Sequence, residues 1–402
     1  MTTGATPPPL PGTPPAVPPP LPTADQVGLP ATSAPPVVTP TGDGRLSFSC
    51  RTCGSQIVYV PGTTELRCGA CGSVQRIEPE GTIDEHSYDD WASLPKKPVA
   101  MIAEQVLACR NCGAQTETDD IAGICQFCGG VLVSQTQPEG LIAPEAVVPF
   151  HFDKAGANTA FRTWVRSRRF APSALKKVGS TEQIRGTYIP HWTYDAQTAT
   201  AYDGQRGDYY YTTHTRTVSD GKGGTRTETY QQRHTRWRDA NGRVSRGFDD
   251  IVIPASTRLD AETLEKMGPW SLHDARAYQP EYLAGYSALR YEVDPDTGLG
   301  HAKQYMGNVI EGDVKADIGG DEQRISVMNI QYAATMFKLM LMPLWIASYV
   351  FGGATYQVLV NANTGEVVGD RPYSKLKIAL AVIAGLIVAA VIVVAVVLAR
   401  RS

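Results

Sequence analysis

The sequence predicts two small, β-rich, four-cysteine zinc ribbons, an α+β domain and one C-terminal transmembrane helix. Three observations carry that reading. Eight cysteines fall into four Cys-x-x-Cys pairs, a long cysteine-free stretch is rich in Tyr, Trp, Val and Ile, and Ile378–Ala399 is an unbroken apolar run. The 402 residues suffice for two or three ordinary domains.

Residues 1–44 hold 14 of the 29 prolines, no aromatic residue, and no charge before Asp25. Such a segment buries too little apolar surface to offset its ordering entropy, so a disordered arm with polyproline II character is expected. Its Pro7–Pro9 and Pro18–Pro20 runs suit either a solvated spacer or docking on aromatic grooves of a partner. Two cysteine modules follow as a short internal repeat, at 45–79 and 104–134. Residues 80–103 and 135–147 read as linkers.

The first module pairs Cys50 and Cys53 with Cys68 and Cys71. The second pairs Cys109 and Cys112 with Cys125 and Cys128, and a glycine (54, 72, 113, 129) follows the second cysteine of every pair. A two-residue gap lets one tight turn present two sulfurs to a metal, and structural zinc takes four such ligands in a tetrahedron. Glycine supplies the positive φ such a turn needs. Two Zn2+ ions are therefore expected; iron in rubredoxin-type knuckles and redox-active thiol pairs are the alternatives. Full thiolate ligation leaves no position for water, so the sites read as structural and not catalytic.

Residues 148–373 are expected to form the α+β domain. Ala157, Phe161, Trp164 and Val165 recur at helical spacing within 154–169. A short strand is expected over 186–190. Residues 208–219 and 225–238, rich in Thr, Tyr and Arg, flank the turn Asp220–Gly224 and predict a hairpin reaching into solvent or against a partner. Helices are expected at 261–266 and 301–314, and strands at 325–332, 337–350 and 355–360. Asp249-Asp250 and Asp294-Pro295-Asp296 read as turns, and His191 and His301 as structural.

Ile378–Ala399 spans about 33 Å as a helix, enough for a hydrocarbon core of about 30 Å. Residues 374–402 thus read as a tail anchor. Met1–Thr6 has neither the basic start nor the apolar stretch of a signal peptide. The expected location is the cell membrane, single-pass, with the soluble domains in the reducing cytoplasm, where thiols bind metal and do not oxidise.

The formal net charge of −3 becomes about −7 once two dications and eight thiolates are counted. Dense basic charge drives nucleic-acid affinity, and the second module, with Arg110 against Glu104, Glu117, Asp119 and Asp120, lacks it. No phosphate-binding Gly-x-x-x-x-Gly-Lys-Ser/Thr loop and no Gly-x-Ser-x-Gly or His-Glu-x-x-His motif occurs, so no enzyme class is indicated. The basic residues between Arg162 and Arg185 fit anionic lipid or a solvated helix face. The expected function is a non-enzymatic adaptor recruiting cytoplasmic or membrane-associated proteins to the lipid bilayer; a membrane-attached nucleic-acid-binding protein is the alternative.

Beyond the cysteines come Val148-Pro149-Phe150, Trp164, Phe170–Lys177, Gly186–Pro190, Glu281–Gly285, Leu341–Trp345, Val358–Gly365 and Gly369–Ser374, then the apolar helix. That order, over 45–399, resembles bacterial membrane-anchored double zinc-ribbon proteins described as TFIIB-type zinc-ribbon proteins, some labelled primosomal helicase-like. The resemblance implies the architecture above and an association with envelope-stress systems of the phage-shock and flotillin-like kind. It does not carry the helicase label here, because the ATPase motifs are absent.

Overall fold

The computed structural model describes residues 48, 50–78, 81–92, 105–108, 115–118, 122–124, 131–133, 142–173, 183–219, 224–351 and 353–399. All lie in one compact unit, Val38–Ser402. The proline-rich arm and Cys109, Cys112, Cys125 and Cys128 fall outside these residues.

The first module is a three-stranded antiparallel sheet of β1 (Ile57–Val60), β2 (Glu65–Cys68) and β3 (Val74–Arg76), in that order. Strand β4 (His86–Ser87) and helix α1 (Tyr88–Ala92) follow. In the second module, β5 (Gln105–Ala108) pairs antiparallel with β6 (Gln115–Thr118), and β7 (Ala122–Ile124) with β8 (Val131–Val133). Each of those two pairs brackets one cysteine pair in the sequence.

The remaining chain builds a large sheet. Strand β9 (Ala146–Val147) leads to helix α2 (Lys154–Ser167), whose Asp153 caps the Gly156 N–H and whose Ala157, Phe161, Trp164 and Val165 are buried. Then come β10 (Gln183–Ser219), β11 (Thr225–Pro254), α3 (Ala261–Glu265), β12 (Arg276–Ala277), β13 (Ser287–Ala288), α4 (Pro295–Ile318), β14 (Glu322–Phe351), β15 (Ala354–Asn361), β16 (Val367–Gly369) and α5 (Lys375–Ala399). Strand β10 pairs antiparallel with β11 along one edge and with β14 along the other. Around Ile189–Tyr194 both faces of β10 are buried, with Pro190, Trp192 and Tyr194 on one and Ile189, His191 and Thr193 on the other.

Helix α4 lies over one half of this sheet and buries Leu299, Ala302, Met306, Ile310, Val314 and Ile318, a repeat of three or four residues. With Trp192, Tyr194, Tyr202, Phe248 and Phe337 they make one core. Polar groups fasten the helix as well. Tyr202 donates to Asp317 (2.6 Å), and Arg246 grips Asp313 through two bonds of 2.5 and 2.6 Å.

The strands are longer than their local composition foretells. Residues 191–207 mix β formers such as Trp192, Tyr194 and Tyr202 with Asp195, Asp203, Gly204 and Gly207, which interrupt the local signal, and pairing on both sides makes them one strand. The expected pieces 325–332 and 337–350 form one strand, crossing Ala334 at φ 49°. Asp249-Asp250 is not a turn. It bulges within β11 opposite Asp195, with Asp250 at φ 53°. Asp294-Pro295 is not a free turn either: the Asp294 carboxylate accepts the Thr297 N–H at 2.8 Å and caps α4.

Two stretches expected as linkers carry packed structure. Ser87 and His86 pair with Met336 and Phe337, while Tyr88 and Trp91 pack on the Phe337 ring at 6.1 and 5.5 Å. Ala146 and Val147 are buried against Met340 and Leu341, and Glu145 accepts the Leu339 N–H at 2.8 Å.

Past the hydrogen bond partners of Glu322, β10 and β11 continue alone. Residues 208–219 and 225–236 form a two-stranded ribbon, about 40 Å long at about 3.3 Å per residue. The hairpin expected from sequence, 208–219 with 225–238, coincides with this ribbon, which is the far end of the longer β10–β11 pair.

Candidate metal centre

In the first module the thiols of Cys50, Cys53, Cys68 and Cys71 converge. Their sulfurs all lie within 4.8 Å of one another, with Cys50–Cys71 at 3.5 Å and Cys53–Cys68 at 3.6 Å. These separations far exceed a disulfide bond. A tetrahedron with metal–sulfur bonds of about 2.3 Å has sulfurs about 3.8 Å apart, so the quartet fits zinc. Other than these cysteines, one group of three acids (described below) meets the same geometric test among the described residues.

The knuckles follow from local backbone chemistry. Cys50 C=O accepts the Gly54 N–H (2.8 Å) and Cys68 C=O accepts the Gly72 N–H (3.0 Å). Both glycines have positive φ, 71° and 75°, with open space where a Cβ would stand. The left-handed backbone, not crowding, therefore demands glycine. Cys50 and Cys68 are buried, and Cys53 and Cys71 are exposed.

Serines tune the thiols. Ser73 Oγ lies 2.8 Å from Cys50 Sγ and 3.2 Å from Cys71 Sγ. That hydroxyl is the main reason the Cys50 thiol is held down at about 5. The Ser55 hydroxyl does the same for Cys53, lowering it. At Cys68 the Cys71 N–H favours the thiolate, yet burial and the neighbouring sulfurs Cys53 and Cys71 leave it raised. Four adjacent thiolates repel one another, and a bound dication is what ionises all four. The serines were not singled out from sequence. Their signal is the repeated Cys-Gly-Ser at 53–55 and 71–73, which the second module lacks.

The module is built into the rest of the fold. Ile57, Tyr59, Leu66 and Ile77 share one core with Phe150, Tyr188, Tyr282, Tyr286 and Trp345. Tyr59 donates its N–H to Ala284 O (2.9 Å), and its ring meets Tyr282 edge-on at 5.3 Å. Gly62 donates to Phe150 O at 2.8 Å, and a Cβ there would strike His151 O. Strand β7 of the second module likewise joins the main sheet through Ala122 and Ala288.

The other candidates separate cleanly. Glu85, Asp195 and Asp250 place carboxylate oxygens within 4.8 Å of one another. Lys338 already meets this cluster, its Nζ 2.6 Å from both Glu85 and Asp250. The ammonium supplies the cation, and the cluster locks β4, β10, β11 and β14 at the bulge. His191 is buried with Nδ1 3.0 Å from Ile189 O, and burial pulls its imidazole down to about 4, so it stays neutral and structural. His301 is exposed on α4.

Helix α5 contains a candidate membrane span, Lys375–Val396, of mean hydropathy 3.2, none of it buried. Ser374 Oγ caps it by accepting the Lys377 N–H at 3.3 Å.

Fold and site together define a β-rich protein with a four-cysteine cluster and one C-terminal apolar helix. The chain is similar to the uncharacterized protein YdjG of Bacillus subtilis (strain 168), with 28% identity over 347 residues, 83% of this chain and 92% of that protein. No family model matches the chain. No solved structure matches it.

Proposed function

We propose that this protein is a non-enzymatic, membrane-tethered zinc-ribbon adaptor that recruits proteins to a lipid bilayer. The observation that carries the proposal is the convergence of four thiols in a chain that also holds an exposed helix of mean hydropathy 3.2. Cys50, Cys53, Cys68 and Cys71 hold one zinc ion in this reading, and Cys109, Cys112, Cys125 and Cys128 hold a second. Zinc with four thiolates supplies rigidity, not a reaction, because no position is left for water or substrate. The soluble part faces the cytoplasm, where thiols stay reduced. Anchoring raises the local concentration of a recruited protein without any new contact. The first module keeps a rim free for such a partner, with Cys53, Cys71, Val58 and Val74 exposed.

Affinity capture from solubilised membranes tests this directly. Wild type is expected to retain stable protein partners, and either Cys50→Ser/Cys53→Ser or Cys109→Ser/Cys112→Ser is expected to lose some of them. Recovery of no partner by zinc-loaded wild type speaks against the adaptor.

One observation favours nucleic acid as a second reading. On one face of the projecting ribbon, Arg216, paired with Glu228 at 2.8 Å, lies over the Tyr230 ring at 5.5 Å, and Arg236 lies over Tyr210 at 5.2 Å. Cations interleaved with exposed aromatic rings suit a single strand, through phosphate contacts and base stacking. Binding of labelled DNA or RNA that falls steeply with added salt, and falls again in Arg216→Gln/Arg236→Gln, is the expected mark of that role. No binding at low salt removes it.

A further inference from the structure

A groove of about 690 Å³ opens beside the root of α5, between α2, α3 and the segment following β16. Its charged lining is Arg168, Lys266 and Arg371 against Glu366 and Asp370, with Trp164 and Tyr373 as aromatic walls. The position is fixed by hydrogen bonds. Ser374 donates its N–H to Phe170 O, and Lys377 Nζ donates to Ala171 O, both at 2.8 Å, so the end of α2 is clamped to the first turn of α5. Arg371 and Tyr373 precede that helix by only a few residues. If α5 crosses a bilayer, the groove sits at headgroup level.

We propose that this groove binds the headgroup of an anionic, polyol-headed phospholipid such as phosphatidylglycerol; the inference rests on the membrane-spanning reading of α5. Lys266 is already paired with Glu262 at 2.6 Å, so the anion contacts fall to the guanidiniums of Arg168 and Arg371 and not to an excess of positive charge. Arg168 is pre-positioned, its guanidinium 5.1 Å over the Trp164 ring. Its Nε is buried with no hydrogen-bond partner among the described residues, so it retains donor capacity in a place where an unmade bond is costly. Arg371 is likewise held over Tyr373, at 5.2 Å. Guanidinium forks match phosphate oxygens, and tyrosine and tryptophan favour the bilayer interface. Glu366 and Asp370 select the headgroup. Carboxylates accept hydrogen bonds from glycerol hydroxyls, whereas phosphatidylserine brings a carboxylate they repel beside the ammonium they attract, so a headgroup made only of donors is the better match.

Full-length protein is reconstituted in phosphatidylcholine bilayers doped with equal mole fractions of phosphatidylglycerol and phosphatidylserine. Lipid retained on release is identified by native mass spectrometry. Wild type is expected to keep phosphatidylglycerol in preference to phosphatidylserine, and Arg168→Gln/Arg371→Gln to lose roughly thirtyfold of that retention. Arg371→Gln alone, which leaves the Arg168–Trp164 packing intact, serves if the double variant does not fold. Equal retention by wild type and variant, or no preference over phosphatidylcholine, overturns the site. Equal stabilisation by soluble glycerol phosphate in pure phosphatidylcholine assigns the groove to a free phosphate and overturns the lipid. Failure of wild type to float with any vesicle overturns the spanning reading instead, and is seen before lipid selectivity is scored.

Discussion

At the scale of single residues, each knuckle turns on a glycine and a serine. Gly72 sits at φ 75° with room for a methyl group, so Gly72→Ala strains only the backbone. A cost of about 1–2 kcal/mol is expected, with Gly72→Asn costing less, measured as lowered resistance of zinc-loaded protein to denaturant. The bulge cluster makes a pH prediction. Burial, with Glu85 nearby, raises Asp195 from 3.8 to about 6. A group whose folded value lies above its unfolded one favours the fold below the unfolded value and loses that contribution as pH rises through the folded value. Stability from Asp195 is therefore present below about pH 4 and lost on rising through 6. Glu85 runs the other way, since Lys338 holds its carboxyl low; its contribution is present at neutral pH and lost in acid. Asp195→Asn should flatten the fall between pH 4 and 6, while a slope like that of wild type would assign the dependence elsewhere.

At the scale of elements, α4 is the piece whose packing matters most to the sheet. Met306 is fully buried at its middle, among Tyr194, Tyr202 and Phe337 in one core. Met306→Ala is expected to lower stability by about 2–5 kcal/mol, read from the denaturant midpoint, whereas the exposed Tyr305→Ala should change it by less than about 0.5 kcal/mol. This helix shows what the sequence could and could not reveal. Its centre was legible from periodicity, but its first turn, with Gly298 and Gly300, was not. Gly298 is there because a Cβ would meet Tyr194 Oη and the Trp192 ring, a tertiary demand no local pattern announces. Helix α2, carried by one apolar stripe and an Asp cap, was legible nearly to its ends. The long strands were legible only in pieces, 186–190, 208–219, 225–238, 325–332 and 337–350, since partners far along the chain impose strand on the Asp-, Gly- and Ala-containing stretches between them. The cysteine quartet was fully legible, because two-residue spacing and a following glycine state the turn geometry themselves. Ser73 and the Lys338 cluster became visible only in three dimensions.

At the scale of the whole molecule, the first module is wedged into the sheet domain through Tyr59 and Gly62, so a metal ion held by its four thiols is expected to stabilise the larger domain too. Chelation should therefore lower the stability of the sheet as well as of the ribbon, seen as loss of tyrosine and tryptophan near-ultraviolet dichroism; an unchanged signal would make the ribbon independent. Helix α5 is attached differently, at its root, where Ser374 N–H donates to Phe170 O and Lys377 Nζ to Ala171 O. A chain truncated after Ser374 is expected to fold and to leave the membrane fraction, and continued flotation with vesicles would place the attachment elsewhere.

The proposed function rests on two thiolate quartets, each clamping one zinc ion. Elemental analysis of full-length protein purified from membranes tests it most directly. Two zinc ions per chain are expected for wild type, falling to one in Cys50→Ser/Cys68→Ser with the second site intact. Zinc content unaltered by that substitution, or wild type free of zinc with all eight thiols reactive, would contradict it.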